Sequence, residues 1–172
     1  MKRSDFLNRF LVLIGVSSSN ILLDSCSVEG EEEGNEEVEF LSEEDILYQE
    51  LKDKTSETGN FLEGKLFYVD ITNDNYSSLS EVGNFVNDTD NYILILRKTE
   101  EDFKVLSNCC PHLGTSNRWS YSNGNFRCAN HGNSYGTGSG FVANCSSNST
   151  SGNLKQYDTS LNKDILTVDF DS

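Results

Sequence analysis

Cys110-Pro111-His112-Leu113-Gly114 and Cys128-Ala129-Asn130-His131-Gly132 are the two stretches that decide how this chain is read. Their spacing is C-x-H, then fifteen residues, then C-x-x-H, and both histidines of the protein fall within it. Imidazole nitrogen and thiolate sulfur are the side-chain groups that hold zinc or iron, so two such pairs predict one four-ligand metal site. A glycine follows each half, directly after His131 and one residue after His112. There the backbone can turn sharply around a bulky group with no Cβ in the way.

Outward from these loops the pattern is that of strands. Residues 65–70, 92–97, 103–106, 126–128, 154–157 and 165–170 each carry a short apolar or alternating run, and 92–97 is nearly continuously apolar. The order strand, C-x-H loop, strand, C-x-x-H loop, strand puts each ligand pair on a tight loop and brings the two tips to one edge of a sheet. Short strands separated by Asn, Gly and Asp turns predict an all-β fold, a small antiparallel β-sandwich or barrel. A single proline and an abundance of Asn, Ser and Gly agree with it. One short N-terminal helix is expected near residues 43–53, with Ser42 as cap, acids in its first turn and Ile46, Leu47 and Leu51 as an apolar stripe.

The two ligand loops resemble those of the Rieske family, and the resemblance extends over roughly residues 60–172. It implies that Cys110 and Cys128 bind one iron of a 2Fe–2S cluster and that His112 and His131 bind the other. A mononuclear zinc site uses the same ligand types, but zinc ribbons and fingers favour C-x-x-C knuckles or an H-x₃₋₅-H pair. The resemblance assigns roles to neighbours as well. Tyr135 donates a hydrogen bond to a ligand sulfur, and Asn133 stands where a serine would donate to a bridging sulfide; Leu113 reads either as a shield of the cluster from water or as an ordinary loop contact. In the quinol-oxidising branch each loop carries an extra cysteine, and the two form a disulfide; the matching positions here are Thr115 and Asn130. With Tyr135 present and that bridge absent, the expected midpoint is intermediate within the family range of about −150 to +300 mV. Cys109 and Cys145 remain, either as a disulfide that substitutes for the missing bridge or as two unpaired thiols.

Residues 1–25 read as a signal peptide. A basic start (Lys2, Arg3, Arg9) precedes an apolar run over 10–23 that is short for a bilayer span. Leu22-Leu23-Asp24-Ser25-Cys26 resembles a bacterial lipobox, with Cys26 as the lipidated residue and Asp24 as the departure from pattern. Residues 26–58 are expected to form an acidic tether carrying the short helix, and 59–172 the cluster domain. Ten carboxylates and no basic residue fall between Glu29 and Asp45, a density that extends a chain by self-repulsion. The formal charge of −15 argues against nucleic acid as a partner.

These readings converge on a one-electron carrier held outside the cytoplasm, in the periplasm or at the cell surface, by an N-terminal lipid anchor. It would serve a respiratory quinol:acceptor chain, with a c-type cytochrome or a quinol-oxidising membrane complex as redox partner. A ferredoxin-type donor to an oxygenase and a zinc-binding structural module are the alternatives.

Overall fold

The structure is a computed structural model that describes residues 41–172; the signal peptide, Cys26 and most of the acidic run lie outside the described residues. It begins with helix α1 (Glu43–Thr55), whose start is set by Ser42: the Ser42 Oγ accepts from the Asp45 N–H at 3.1 Å. Acids at 43–45 face the positive end of the helix and Lys52 and Lys54 the negative end. The apolar stripe does not anchor this helix. Only Leu51 and Thr55 are buried, while Ile46 and Leu47 are 55% and 52% exposed. Lys52 is the anchor instead. Its Nζ donates to Asp70 at 2.6 Å and to Asp164 at 2.8 Å, and the Tyr48 hydroxyl donates to Asp164 at 2.6 Å. Among the described residues the helix therefore belongs to the same compact unit as the strands.

Ten strands follow: β1 (Asn60–Glu63), β2 (Leu66–Asp70), β3 (Phe85–Asp88), β4 (Ile93–Arg97), β5 (Phe103–Ser107), β6 (Trp119–Ser122), β7 (Asn125–Cys128), β8 (Ser134–Gly136), β9 (Gln156–Asn162) and β10 (Ile165–Asp169). A 3₁₀ helix, Asp74–Ser80, bridges β2 and β3. Seven strands form one antiparallel sheet in the order β1-β2-β10-β9-β5-β4-β3, and β6-β7-β8 form a second. Among the described residues the chain thus adopts the expected all-β fold with one short α-helix. Among the described residues no helix is long and apolar enough to cross a membrane.

Strand β4 shows why 92–97 reads as continuously apolar. Successive side chains of a strand point to opposite faces. Ile93 and Ile95 enter one core with Phe67, Val69, Val105 and Val168. Leu94 and Leu96 enter a second core with Leu106, Phe126, Tyr135 and Leu154. Both faces of β4 are dry, so alternation is lost. The second core also contains Cys110 and Cys128, and in this way the large sheet carries the ligand loops.

Candidate metal centre

Strand β5 delivers the chain into the first ligand loop, and β7 delivers it into the second. The two loops share one backbone frame. In the first, the Cys110 N–H donates to the Thr115 carbonyl and the Gly114 N–H to the Cys110 carbonyl, at 2.9 and 2.8 Å. In the second, the Cys128 N–H donates to the Asn133 carbonyl and the Gly132 N–H to the Cys128 carbonyl, both at 2.9 Å. Each frame is Cys-x-x-x-Gly, and it absorbs the unequal Cys–His spacings. Both glycines have positive φ, +76° at Gly114 and +82° at Gly132. A Cβ added at Gly114 would come within 2.5 Å of Ser146 Oγ, and one at Gly132 within 2.9 Å of Arg127 Nη2, so either side chain would have to shift.

The loops bring Cys110, Cys128, His112 and His131 together in two pairs. Cys110 and Cys128 are buried thiols outside any disulfide. Burial pushes the Cys128 thiol up and the adjoining Cys110 adds to this, while the backbone N–H groups of Asn130 and His131 oppose it. Two buried thiolates side by side are costly unless a cation neutralises them. On the outer side, His112 Nδ1 and His131 Nδ1 stand 3.3 Å apart, with the rings at 88°. Two nitrogens bound to one tetrahedral metal at about 2.0–2.1 Å would be separated by about 3.3 Å, so the imidazoles are placed as if for a shared ion. A donor set of two neighbouring thiols and two facing imidazoles suits a binuclear cluster.

The neighbouring residues are placed as follows. Tyr135 is fully buried and its hydroxyl lies 3.7 Å from Cys110 Sγ, but its proton goes to the Ser149 carbonyl at 2.8 Å. Burial, followed by Cys110, pushes this phenol up to about 12, against the Asn133 amide and the His112 N–H; it stays neutral. Leu113 is 55% exposed beside the half-buried His112 and the exposed His131. The Asn130 amide donates to Thr115 Oγ1 at 3.1 Å, a hydrogen bond across the two loops at the very positions where the quinol-oxidising branch has its bridge. Cys109 and Cys145 form a disulfide, with Cα atoms 5.4 Å apart.

Two contributors were not singled out from sequence. The segment 145–149 closes over the first loop, its Ser147 and Asn148 N–H groups donating to the carbonyls of Pro111 and His112 at 2.8 and 3.1 Å. Cys145 was its only signal. Asn108, fully buried, ties the base of the first loop to Asn87 through its amide and to the Trp119 indole through its carbonyl. Nothing in the local sequence marks it.

The model of the Rieske [2Fe-2S] domain family matches residues 67–158, more than half of the chain. No curated protein matches the chain. Among solved structures it is similar to the cyanobacterial plasma membrane Rieske protein PetC3 from Synechocystis PCC 6803, at 17% identity and a TM-score of 0.36, over 49% of this chain and 83% of that one. A match that spans both ligand loops and the strands that carry them identifies the cofactor as a 2Fe–2S cluster, and the chain belongs to the Rieske [2Fe-2S] domain family.

Proposed function

We propose that the protein is a one-electron carrier in which Cys110 and Cys128 hold one iron of the cluster and His112 and His131 the other. The observation that carries the assignment is the 3.3 Å Nδ1 pair set outside two buried free thiols. When bound, the cluster supplies one-electron exchange between its oxidised and reduced states. The chain's own residues set how that exchange is reached. Cys110, Cys128, Phe126 and Tyr135 exclude water from the inner end. His131 and Leu113 reach solvent at the outer end, which makes the imidazole edges the electron port. Their ring nitrogens remote from the Nδ1 pair are the atoms that hold or release a proton there.

We further propose that residues 1–25 are a signal peptide, that Cys26 is lipidated, and that the acidic stretch tethers the folded unit to a membrane outside the cytoplasm. The redox partner would then be a c-type cytochrome or a quinol-oxidising complex of a respiratory chain. The Thr115–Asn130 hydrogen bond in place of a bridge favours the alternative, a ferredoxin-type donor to an oxygenase. Redox titration of the full chain followed by electron paramagnetic resonance separates these readings. A Rieske-type signal with a midpoint well above zero supports the quinol-linked reading, and one near −100 mV, within the family range, supports the ferredoxin type. Stoichiometric zinc with no signal would reject both.

A further inference from the structure

We propose that the cluster end of the molecule is an electropositive docking face for a redox protein whose own contact surface is acidic. The proposal rests on the reading of His112 and His131 as the electron port, and it assigns that port a partner chemistry. None of the protein's 28 aspartates and glutamates falls within residues 103–157. That segment contains β5 and everything the chain inserts between β5 and β9: both ligand loops, the three-stranded sheet and the 145–149 segment. Its cations are Lys104, Arg118, Arg127 and Lys155.

Two of these four are engaged by neighbours. Lys104 Nζ donates to the Thr137 carbonyl at 2.9 Å and to the Gln156 side chain at 3.1 Å, and Lys155 lies over the Tyr157 ring. Arg118 and Arg127 are exposed, and neither forms an ion pair among the described residues, whereas Lys52, Lys54, Lys65, Arg97 and Lys163 all do. Both arginines border the second ligand loop, Arg127 at the end of β7 and Arg118 just before β6. The Ala129 N–H donates to the Arg118 carbonyl at 2.8 Å. The Arg127 guanidinium packs over Gly132, the residue after His131.

An approaching protein that reaches the imidazoles therefore meets a stretch of chain that carries two exposed guanidiniums, unpaired among the described residues, and no carboxylate of its own. The guanidinium fork suits carboxylate bidentately. The rest of the described unit carries all of its 19 carboxylates and repels the same partner, so docking in any other orientation is disfavoured. A cationic partner would be drawn to the carboxylate-bearing part of the unit instead. At physiological ionic strength the Debye length is about 8 Å, so the charges nearest the port weigh most in docking there.

The test uses the cluster-loaded full chain, reduced and then mixed at 0.1 M ionic strength with ferricyanide or with tris(phenanthroline)cobalt(III). Each oxidant takes one electron from the reduced protein, giving ferrocyanide or cobalt(II), and the ratio of the two rate constants cancels changes in driving force. Arg118→Gln/Arg127→Gln is compared with Lys65→Gln/Lys98→Gln, which removes the same charge from the opposite sheet. The ferricyanide-to-cobalt ratio should fall about three- to tenfold in the arginine variant and stay put in the lysine variant. Arg118→Gln alone, at a residue that meets the second ligand loop through its backbone carbonyl, carries the test if Arg127→Gln impairs loading. Equal shifts in both double variants, or none, would overturn the proposal. With proteins as oxidants, the arginine variant should react more slowly with a succinylated, acidic c-type cytochrome and not with the unmodified basic one. Loss of retention on anionic lipid vesicles with an unchanged oxidant ratio would make the face a membrane contact and sink the idea. Absence of a Rieske-type signal in the loaded wild type would defeat the electron-carrier reading itself; a normal signal with equal shifts defeats only the docking face.

Discussion

Gly114 and Gly132 hold the ligand loops in a conformation that residues with a Cβ adopt at a cost of about 1–2 kcal/mol. Gly114→Ala adds a clash with Ser146 Oγ. Chemical denaturation should show a loss of at least that size, and reconstitution should show lower cluster occupancy. Wild-type stability in that variant would mean that the turn can relax. Tyr135 poses a different question, because one hydroxyl proton cannot serve both Ser149 and Cys110 Sγ. Tyr135→Phe should cost about 1 kcal/mol, the value of a typical buried hydrogen bond, and leave the midpoint unchanged. A fall in midpoint would show that the proton turns to sulfur in the loaded protein. The four proposed ligands stand out by residue type and spacing alone. The Cys-x-x-x-Gly frame that makes two unequal spacings equivalent is also written in the sequence, but only the hydrogen bonds reveal its purpose.

At the level of elements, β4 separates two cores, and substitutions on its two faces should part company. Leu94→Ala and Ile95→Ala should each cost about 2–5 kcal/mol. Only Leu94→Ala, which opens the core shared with Cys110 and Cys128, should also alter the spectrum of the centre. Helix α1 depends on Lys52, whose partners Asp70 and Asp164 are both held below the ordinary carboxylate range. Burial opposes this shift, and the Lys52 ammonium with the hydrogen bonds of Thr72 and Tyr48 outweighs it. Carboxylates with lowered values contribute stability above their unfolded value of about 4 and lose it as pH falls below that. Lys52, raised by the same partners against desolvation, loses its share only as pH rises past its ordinary value. Acid should therefore detach the helix before alkali does. Lys52→Met should cost about 1–3 kcal/mol at pH 7, less than a fully buried pair because the side chain is 24% exposed. The measurement is helix protection by hydrogen exchange across pH 3–7. The apolar reading of α1 failed because Ile46 and Leu47 have helical spacing but no surface to cover, and a polar contact 112 residues distant in sequence anchors the element instead.

Across the whole molecule, the Cys109–Cys145 disulfide closes a 36-residue separation and joins the first ligand loop to the segment that covers it. Chain-entropy arguments put such a crosslink at about 3–4 kcal/mol. Cys109→Ser/Cys145→Ser should lower the denaturation midpoint accordingly and speed loss of the centre under dilution. Unchanged retention would mean that the backbone hydrogen bonds from Ser147 and Asn148 suffice. The strands β1, β3, β6 and β8 are short and half exposed, so their periodicity is too weak to read alone. They form because paired neighbours satisfy their backbone groups.

The sequence by itself determined the family and the all-β class and pointed to the proposed ligands, because metal donors are rare residue types and their spacing is a local property. It also determined the charge asymmetry between the acidic sheet and the carboxylate-free insertion between β5 and β9. Only the tertiary structure decided what depends on distance through space. It made one half of β4 part of the centre's core, carried Asn130 to Thr115, placed Cys145 against Cys109, and left Arg118 and Arg127 without an ion pair among the described residues. These are pairings between residues far apart in the chain, and no local pattern encodes them.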